Sequence, residues 1–284
     1  MYIKAYAKIN VYLDVLKRND DGYHDLDMVM LPLELHDSID FEHVPFLSDC
    51  YVTCDHVELQ ETKYNSINLT LKEMKEKYQI DKNFSVLVHK EIPISAGLGG
   101  GSSNAAATIR ALNEICKLNM PLEDQLAVGK KIGADVPFCV INKPAHVQGI
   151  GEKIELIDVK KRYFVLLVKP SLGLSTKFVF EESDKDTYEH GNVEDVIKAL
   201  KTGDDKLLEQ SMFNGLEKTS IRLVPEIQDV KNRLRMEGFN MVLMSGSGSC
   251  VFALTDDQKL ATQKYHKLLK EGYEVYLTRT LKLK

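Results

Sequence analysis

Residues 3 to 15 alternate strictly between apolar and polar positions. Ile3, Ala5, Ala7, Ile9, Val11, Leu13 and Val15 share one face, and Lys4, Tyr6, Lys8, Asn10, Tyr12 and Asp14 share the other. A period of two over that length predicts a β-strand with one buried face, and it sets Lys8 and Asn10 side by side on the polar face. NDDGYH at 19–24 reads as a turn. Further strands are expected near 28–42, 46–54 and 84–89. A helix is expected over 66–78, with Ser66 as its cap and Ile67, Leu71, Met74 and Tyr78 as its stripe. Ile109, Leu112 and Ile115 mark a helix beginning near Ser102 or Ser103, and another runs over 122–132 to Gly133.

The second half opens on an apolar strand at 163–168. Glu181 to Gly191 is charged and aperiodic and reads as a linker or mobile loop. Helical patterns follow near 193–201, 204–213 and 225–237. The chain then reads as strand 239–244, a SGSGS turn, strand 250–255, helix 257–271 and strand 273–279. That order predicts an α+β layer on an antiparallel sheet. A boundary near 150–165 divides the chain into expected domains of 1–160 and 161–284. The length, 284 residues, agrees with about two domains.

Composition excludes more than it assigns. Hydrophobic residues at 44% and charged residues at 28% are those of a globular chain, so global disorder and coiled coil are excluded. A net charge of −5 disfavours nucleic acid as a partner, because phosphate neutralisation needs clustered cations. No apolar run approaches a membrane span, so no membrane partner is expected. Cys50, Cys54, Cys116, Cys139 and Cys250 form no Cys-x-x-Cys pair, which disfavours zinc and a disulfide framework. A reduced, cytoplasmic protein is the expectation.

The chemistry concentrates in GLGGGSS, Gly97 to Ser103, at the head of a helix. Glycines let the backbone approach a ligand closely, and the helix behind them offers amides and the positive end of its dipole, an arrangement suited to phosphate. Ser102 and Ser103 can cap the helix or offer hydroxyls to phosphate or to a metal's water shell. The loop lacks the Gly-Lys-Ser/Thr of a Walker A motif. Ser102 stands where a dinucleotide fingerprint needs its third glycine, which argues against an oxidoreductase. The HRD and DFG signatures of protein kinases are absent. Alone, SGSGS at 245–249 reads equally as a hairpin loop, Asp135 as a turn or N-cap residue and Lys8 as a solvated strand lysine. Brought together beside the loop, an aspartate would take a hydroxyl proton and a lysine would hold the charge that develops.

AKIN at Ala7–Asn10, PISAGLGGGSSNAA at Pro93–Ala106 and SGSGSCVFA at Ser245–Ala253 resemble, in order and spacing, the three motifs of the GHMP small-molecule kinases. GYHDL at Gly22–Leu26 and GADVPF at Gly133–Phe138 are similar to the branch that acts on a cytidine-diphosphate methylerythritol in non-mevalonate isoprenoid synthesis. The likeness runs from about residue 2 to 279. It implies an N-terminal ribosomal-protein-S5-like α/β domain, a ferredoxin-like C-terminal α+β domain, and ATP held in the cleft between them. It also implies Mg²⁺ carried on the phosphates without a dedicated set of metal-ligating residues, a small-molecule acceptor phosphorylated on its 2-hydroxyl, and a monomer or homodimer. By the same resemblance Asp135 is the base and Lys8 its partner, and Asn10 orients the erythritol part. Tyr23 and His24 read cytosine, with Phe180 as the opposing ring. Asn68 and Lys90 lie near adenine. Pro93, Gly97, Leu98, Gly99, Gly100, Gly101, Ser102 and Ser103 form the triphosphate segment. Gly246, Ser247 and Gly248 close the site over the substrate. Ser95 and Ala96 stand where many members carry glycine or another small residue. A kinase for another small alcohol, such as homoserine or a mevalonate-type acid, and a silent nucleotide-binding relative are the competing readings.

Overall fold

The computed structural model describes residues 1–20, 22–46, 48–56 and 65–282. Asp21 of the expected turn and Leu47 of the expected 46–54 strand lie outside the described residues. In chain order the elements are β1 (Tyr2–Arg18), β2 (His24–His43), β3 (Tyr51–Cys54), α1 (Ser66–Tyr78), β4 (Phe84–His89), α2 (Gly100–Ile115), α3 (Leu122–Ile132), α4 (Val136–Ile141), β5 (Ala145–Gly149), β6 (Lys153–Leu156) and β7 (Phe164–Lys169). There follow α5 (Thr176–Ser183), α6 (Val193–Thr202), α7 (Asp205–Ser211), β8 (Phe213–Asn214), α8 (Glu217–Leu223), α9 (Glu226–Met236), β9 (Met241–Met244), β10 (Val251–Thr255), α10 (Gln258–Lys270) and β11 (Glu274–Arg279). Among the described residues no helix is long and apolar enough to cross a membrane.

Contacts group the chain into two compact units. One comprises Met1–Ala7, Leu35–Ile92 and Gly99–Asn142; the other comprises Lys8–Glu34, Pro93–Leu98 and Lys143–Lys284. In the first unit β4 runs antiparallel to the C-terminal half of β2, Ser38 opposite His89, and β3 runs parallel to β4. Helices α1, α3 and α4 pack on α2, whose buried side is paved with Ala105, Ala106, Ala107, Ile109 and Leu112. Small side chains there allow close helix approach. The cap of α1 is Asn65, which accepts from the Asn68 amide, so the expected cap Ser66 is the first helical residue. The Ser66 hydroxyl instead donates to Gly101 O at 2.6 Å, tying α1 to the first turn of α2.

In the second unit β5 pairs with the N-terminal half of β2, β6 with β5, and β8 lies parallel to β1 at Tyr12 and Leu13. A separate antiparallel sheet has the order β11-β7-β10-β9. Counted along the chain that is strand order 4-1-3-2 with helices between the first and second and between the third and fourth strands, the ferredoxin-like arrangement. Its Val165, Leu166, Leu167, Val251, Phe252 and Ala253 are fully buried, as strands covered on both faces require.

Three expectations change here. The polar face of β1 is solvated only at its start: Lys4 is exposed and Tyr6 half-buried, but Lys8, Asn10, Tyr12 and Asp14 are all buried, because their polar groups find partners inside the second unit. Tyr12 donates to Asp14, which also accepts from the Gly191 amide and pairs with His190 at 2.9 Å. The segment 181–191 is therefore pinned rather than a free linker: Arg222 bridges Glu182 and Asp186, and Thr219 donates to Asp186 at 2.6 Å. The helical pattern at 204–213 ends earlier, at Ser211. The short helices α4 and α8 and the strands β5, β6 and β8 have too few residues to establish a period.

At the end of α9, Glu237 is nearly buried and receives Lys264 at 2.8 Å, Lys267 at 2.6 Å and Arg233 at 3.0 Å, linking α9 to α10. Hydrogen bonds from Lys264 and Lys267, against the opposing effect of burial, push its carboxyl from 4.5 down to about 2. A depressed carboxyl stabilises the fold above its unfolded value and loses that contribution as pH falls towards the folded value. Glu237→Gln is expected to lower unfolding stability by about 1–3 kcal/mol at pH 7 in urea titrations. The gap to wild type should narrow as pH drops from 4.5 towards 2. A gap that is constant over that range contradicts the ionic account.

Candidate active site

The glycine segment is built by two different packing constraints. In the first unit α2 begins at Gly100, two or three residues before the expected start, because Gly99 takes the N-cap position at φ +71°. No side chain caps this helix. The first i→i−4 bond is made by the Ser103 amide to Gly99 O, so the amides of Gly100, Gly101 and Ser102 precede the helical ladder at the positive end of its dipole. Ser103 does not turn its hydroxyl outward: the side chain is buried and donates to Tyr6 O, with Cys139 Sγ at 3.3 Å. Ser102 is half-buried, and its Oγ lies 4.0 Å from where a Cβ on Gly133 would stand.

Lys90 is anchored inward beneath this turn. Its ammonium pairs with both oxygens of Asp37, at 3.1 and 2.9 Å, and donates to Ile92 O. Asp37 is fully buried and also accepts the amides of Glu91 and Ile92 at 2.9 and 2.8 Å. A Cβ on Gly100 would stand 3.2 Å from Lys90 Nζ. The pair thus supports the entry to α2, which the expectation of an adenine-side lysine did not foresee. Asn68 is in the first turn of α1, the helix held to Gly101 through Ser66. Asp135 is half-buried at the position before α4; its backbone is helical, and its side chain makes no capping bond.

In the second unit three distant segments converge. A Cβ on Gly97, where φ is +73°, would lie 1.9 Å from Ser245 O, so only glycine fits. Ser245 Oγ donates to Gly97 O at 3.0 Å, and the Cys250 amide donates to Ala96 O at 3.3 Å. A Cβ on Gly246 (φ +56°) would lie 3.0 Å from Gly97 O and 3.3 Å from Lys8 Nζ. Lys8 is 4% exposed; its amide donates to Leu98 O and its ammonium to Asn10 Oδ1 at 2.7 Å. Asn10 is buried, with its amide nitrogen directed at Met28 Sδ. Pro93 and Leu98 of the segment are buried. Ser95 holds a positive φ of 53°, a backbone that residues other than glycine seldom adopt.

The serine loop is itself held from outside the expected residues. Asn214 donates to Met244 O and Gly246 O, each at 2.8 Å, Ser220 donates to Ser247 O, and Thr176 Oγ1 meets Ser247 Oγ at 3.0 Å. Asn-Gly at 214–215 was the one available signal for Asn214, and it reads first as a turn. Gly248 has φ +84° and faces Met244 and Leu174.

A second cluster in the same unit joins the expected base-reading residues. His24 is buried at the start of β2 and stacks on Phe180 of α5, centroids 4.8 Å apart at 27°. Its Nε2 is 2.7 Å from Asp184 Oδ1. Tyr23 beside it is 59% exposed. The structure therefore brings Phe180 to His24 through α5, a helix whose short stripe the sequence did not reveal.

Comparison with known proteins follows the same motifs. Residues 65–143 match the model of the GHMP kinases N terminal domain, and residues 196–274 match that of the GHMP kinases C terminal domain. A Streptococcus uberis protein named putative 4-diphosphocytidyl-2-C-methyl-D-erythritol kinase is 40% identical over 98% of each chain. A Clostridium acetobutylicum protein with that kinase name is 36% identical over 99% of this chain and 100% of its own. A crystal structure of 4-(cytidine 5'-diphospho)-2C-methyl-D-erythritol kinase superimposes with a TM-score of 0.82 at 29% identity, covering 99% of this chain and 100% of the other. A homoserine kinase from Cytophaga hutchinsonii, at 17% identity and a TM-score of 0.79, shares the fold. With identity of this extent over nearly its whole length, the chain belongs to the GHMP kinases, in the family of 4-diphosphocytidyl-2-C-methyl-D-erythritol kinases.

Proposed function

We propose that the chain phosphorylates the 2-hydroxyl of 4-diphosphocytidyl-2-C-methyl-D-erythritol with ATP, giving the 2-phosphate and ADP in the non-mevalonate route to isoprenoid precursors. The observation that carries this reading is the packing of Lys8, Gly97 and Gly246 against one another from three separate motifs. A buried ammonium set among glycine backbones is an arrangement for an anion that must be approached closely. His24 and Phe180, an aromatic pair held by Asp184, support a flat nitrogenous base as part of the acceptor.

In this mechanism Asp135 accepts the proton of the 2-hydroxyl as its oxygen bonds to the γ-phosphorus of ATP, and the bond from that phosphorus to the bridging oxygen of ADP breaks. Lys8 and the amides of Gly100, Gly101 and Ser102 stabilise the charge on the transferring group and on the departing diphosphate. Phosphoryl transfer asks for little beyond such positioning and charge. Gly97, Leu98, Gly99 and Ser103 shape the triphosphate segment, Ser103 by anchoring the helix from within. Pro93, Asn68 and Lys90 support the nucleotide side, Lys90 through its pair with Asp37. Asn10 fixes the lysine and faces the erythritol part, and Gly246, Ser247 and Gly248 border the acceptor.

Oxygen donors suit Mg²⁺, and the half-buried Ser102 hydroxyl in the first turn of α2 is a donor of that kind. The ion would ride on the phosphates with Ser102 as the chain's own donor. Bound there, Mg²⁺ neutralises phosphate charge. The family models fall on either side of residue 160, which supports domains of 1–160 and 161–284. Five free cysteines among the described residues support a cytoplasmic setting.

ADP release from purified protein, ATP and Mg²⁺ tests the reading with three acceptors: the cytidine compound, homoserine and mevalonate. Turnover is expected with the first alone; turnover with another alcohol and not with it refutes the acceptor. Asp135→Asn should lower kcat by about 10²-fold or more, the scale of a lost general base, and a near-normal kcat removes Asp135 from that role. Tyr23→Ala and His24→Ala should raise the KM for the acceptor far more than the KM for ATP, whereas equal rises contradict the base-reading assignment.

A further inference from the structure

Asp184 belongs to none of the three family motifs, yet four groups of the second unit meet on it or beside it. His24 Nε2 lies 2.7 Å from Oδ1, and Tyr188 donates to the same oxygen at 2.8 Å. Arg18 lies 3.3 Å from Oδ2. Phe180, four residues earlier on the same side of α5, stacks on the His24 ring. One helix end therefore brackets the imidazole, with a ring on its face and a carboxylate on its edge.

We propose that Asp184 is a positioning residue that keeps the His24 proton on Nε2, so that Nδ1 faces the acceptor's base as a hydrogen-bond acceptor and selects a pyrimidine bearing an amino group over one bearing a carbonyl. This rests on the cytidine reading of the acceptor above. Burial raises the Asp184 carboxyl, but the hydrogen bonds of His24 and Tyr188 and the charge of Arg18 outweigh it and hold it below the usual range. An ionised carboxylate accepts and has no proton to give, so the proton of the Nε2–Oδ1 bond resides on nitrogen. In the neutral ring the other nitrogen then carries a lone pair. Cytosine presents a donor amine at its 4-position and uracil presents an acceptor oxygen, so a fixed acceptor favours the first and repels the second. Without Asp184 the ring is free to exchange tautomers and would serve both bases.

The test uses CDP and UDP as competitors of the acceptor in the ADP-release assay, with the full chain. Wild type is expected to bind CDP about 5- to 10-fold tighter than UDP, the scale of one well-made hydrogen bond. Asp184→Asn, whose amide can accept from or donate to Nε2, should bring the two within about 2-fold while leaving the KM for ATP unchanged. Tyr188→Phe retains the carboxylate and should keep the wild-type ratio, which separates proton placement from general loosening of the segment. Should the Asn variant fail to fold, ¹⁵N spectra of histidine-labelled wild type decide the matter. A His24 ring protonated on Nε2 alone is expected, and the Nδ1–H tautomer overturns the proposal. An Asn variant that keeps the CDP preference overturns the proposal while leaving the cytidine reading intact. A wild type that binds neither nucleotide, or both equally, overturns the cytidine reading and this inference with it.

Discussion

The second unit depends on one close approach, that of the Gly97 backbone to the Ser245 carbonyl. There is no room for a side-chain carbon between them, since a Cβ would sit 1.9 Å from the oxygen. Two left-handed glycines, Gly97 and Gly246, make the approach possible, and the Ser245 hydroxyl and Cys250 amide hold it. The result is a surface of backbone with no methyl groups in front of it, next to the Lys8 ammonium. Side chains elsewhere in the unit serve that arrangement: Asn214 ties the serine loop at Met244 and Gly246, and Ser220 and Thr176 tie it at Ser247.

Buried charge is the second constraint. Taking a charge out of water costs several kcal/mol, so it persists only where partners surround it. Lys90 and Asp37 form such a pair beneath the entry to α2, Lys231 and Glu217 another beneath the strand that leads into the serine loop, where Glu217 also accepts the Met244 amide. Each pair borders a glycine turn, where regular structure offers the backbone little support. Replacing such a pair with apolar side chains would leave the amides of Glu91, Ile92 and Met244 without their acceptors, and that cost is comparable to the burial of the charges themselves.

Much of this was legible in the residues. The period of β1 and the strand-turn-strand-helix-strand order of the last forty or so residues follow from side-chain alternation and turn chemistry. The phosphate loop was legible because four glycines in five residues have few other uses. The burial of Lys8 was not legible, because polarity alone cannot tell a wet lysine from one whose partner, Asn10, is two residues away. Segment 181–191 was misread as a linker because its carboxylates are matched by Arg222, Thr219 and His24, residues 33 to 160 positions distant. The cap of α1 and the start of α2 moved by one to three residues because Asn65 accepts the Asn68 amide and Gly99 supplies a left-handed backbone that serine adopts only at a cost. Asp37 and the contact of Asp184 with His24 had no sequence signal because the partners lie far away along the chain, and Asn214 had only an Asn-Gly pair that reads first as a turn.

The most direct test of the account is calorimetric titration of a non-hydrolysable ATP analogue with Mg²⁺ into wild type and Gly97→Ala, with thermal unfolding recorded on both. The close approach requires that the added methyl part Gly97 from Ser245, so the variant should stay folded with a lowered Tm, bind the analogue at least about tenfold more weakly and lose ADP release in parallel. A variant that binds and turns over like wild type would show that the Gly97–Ser245 contact does not organise the site.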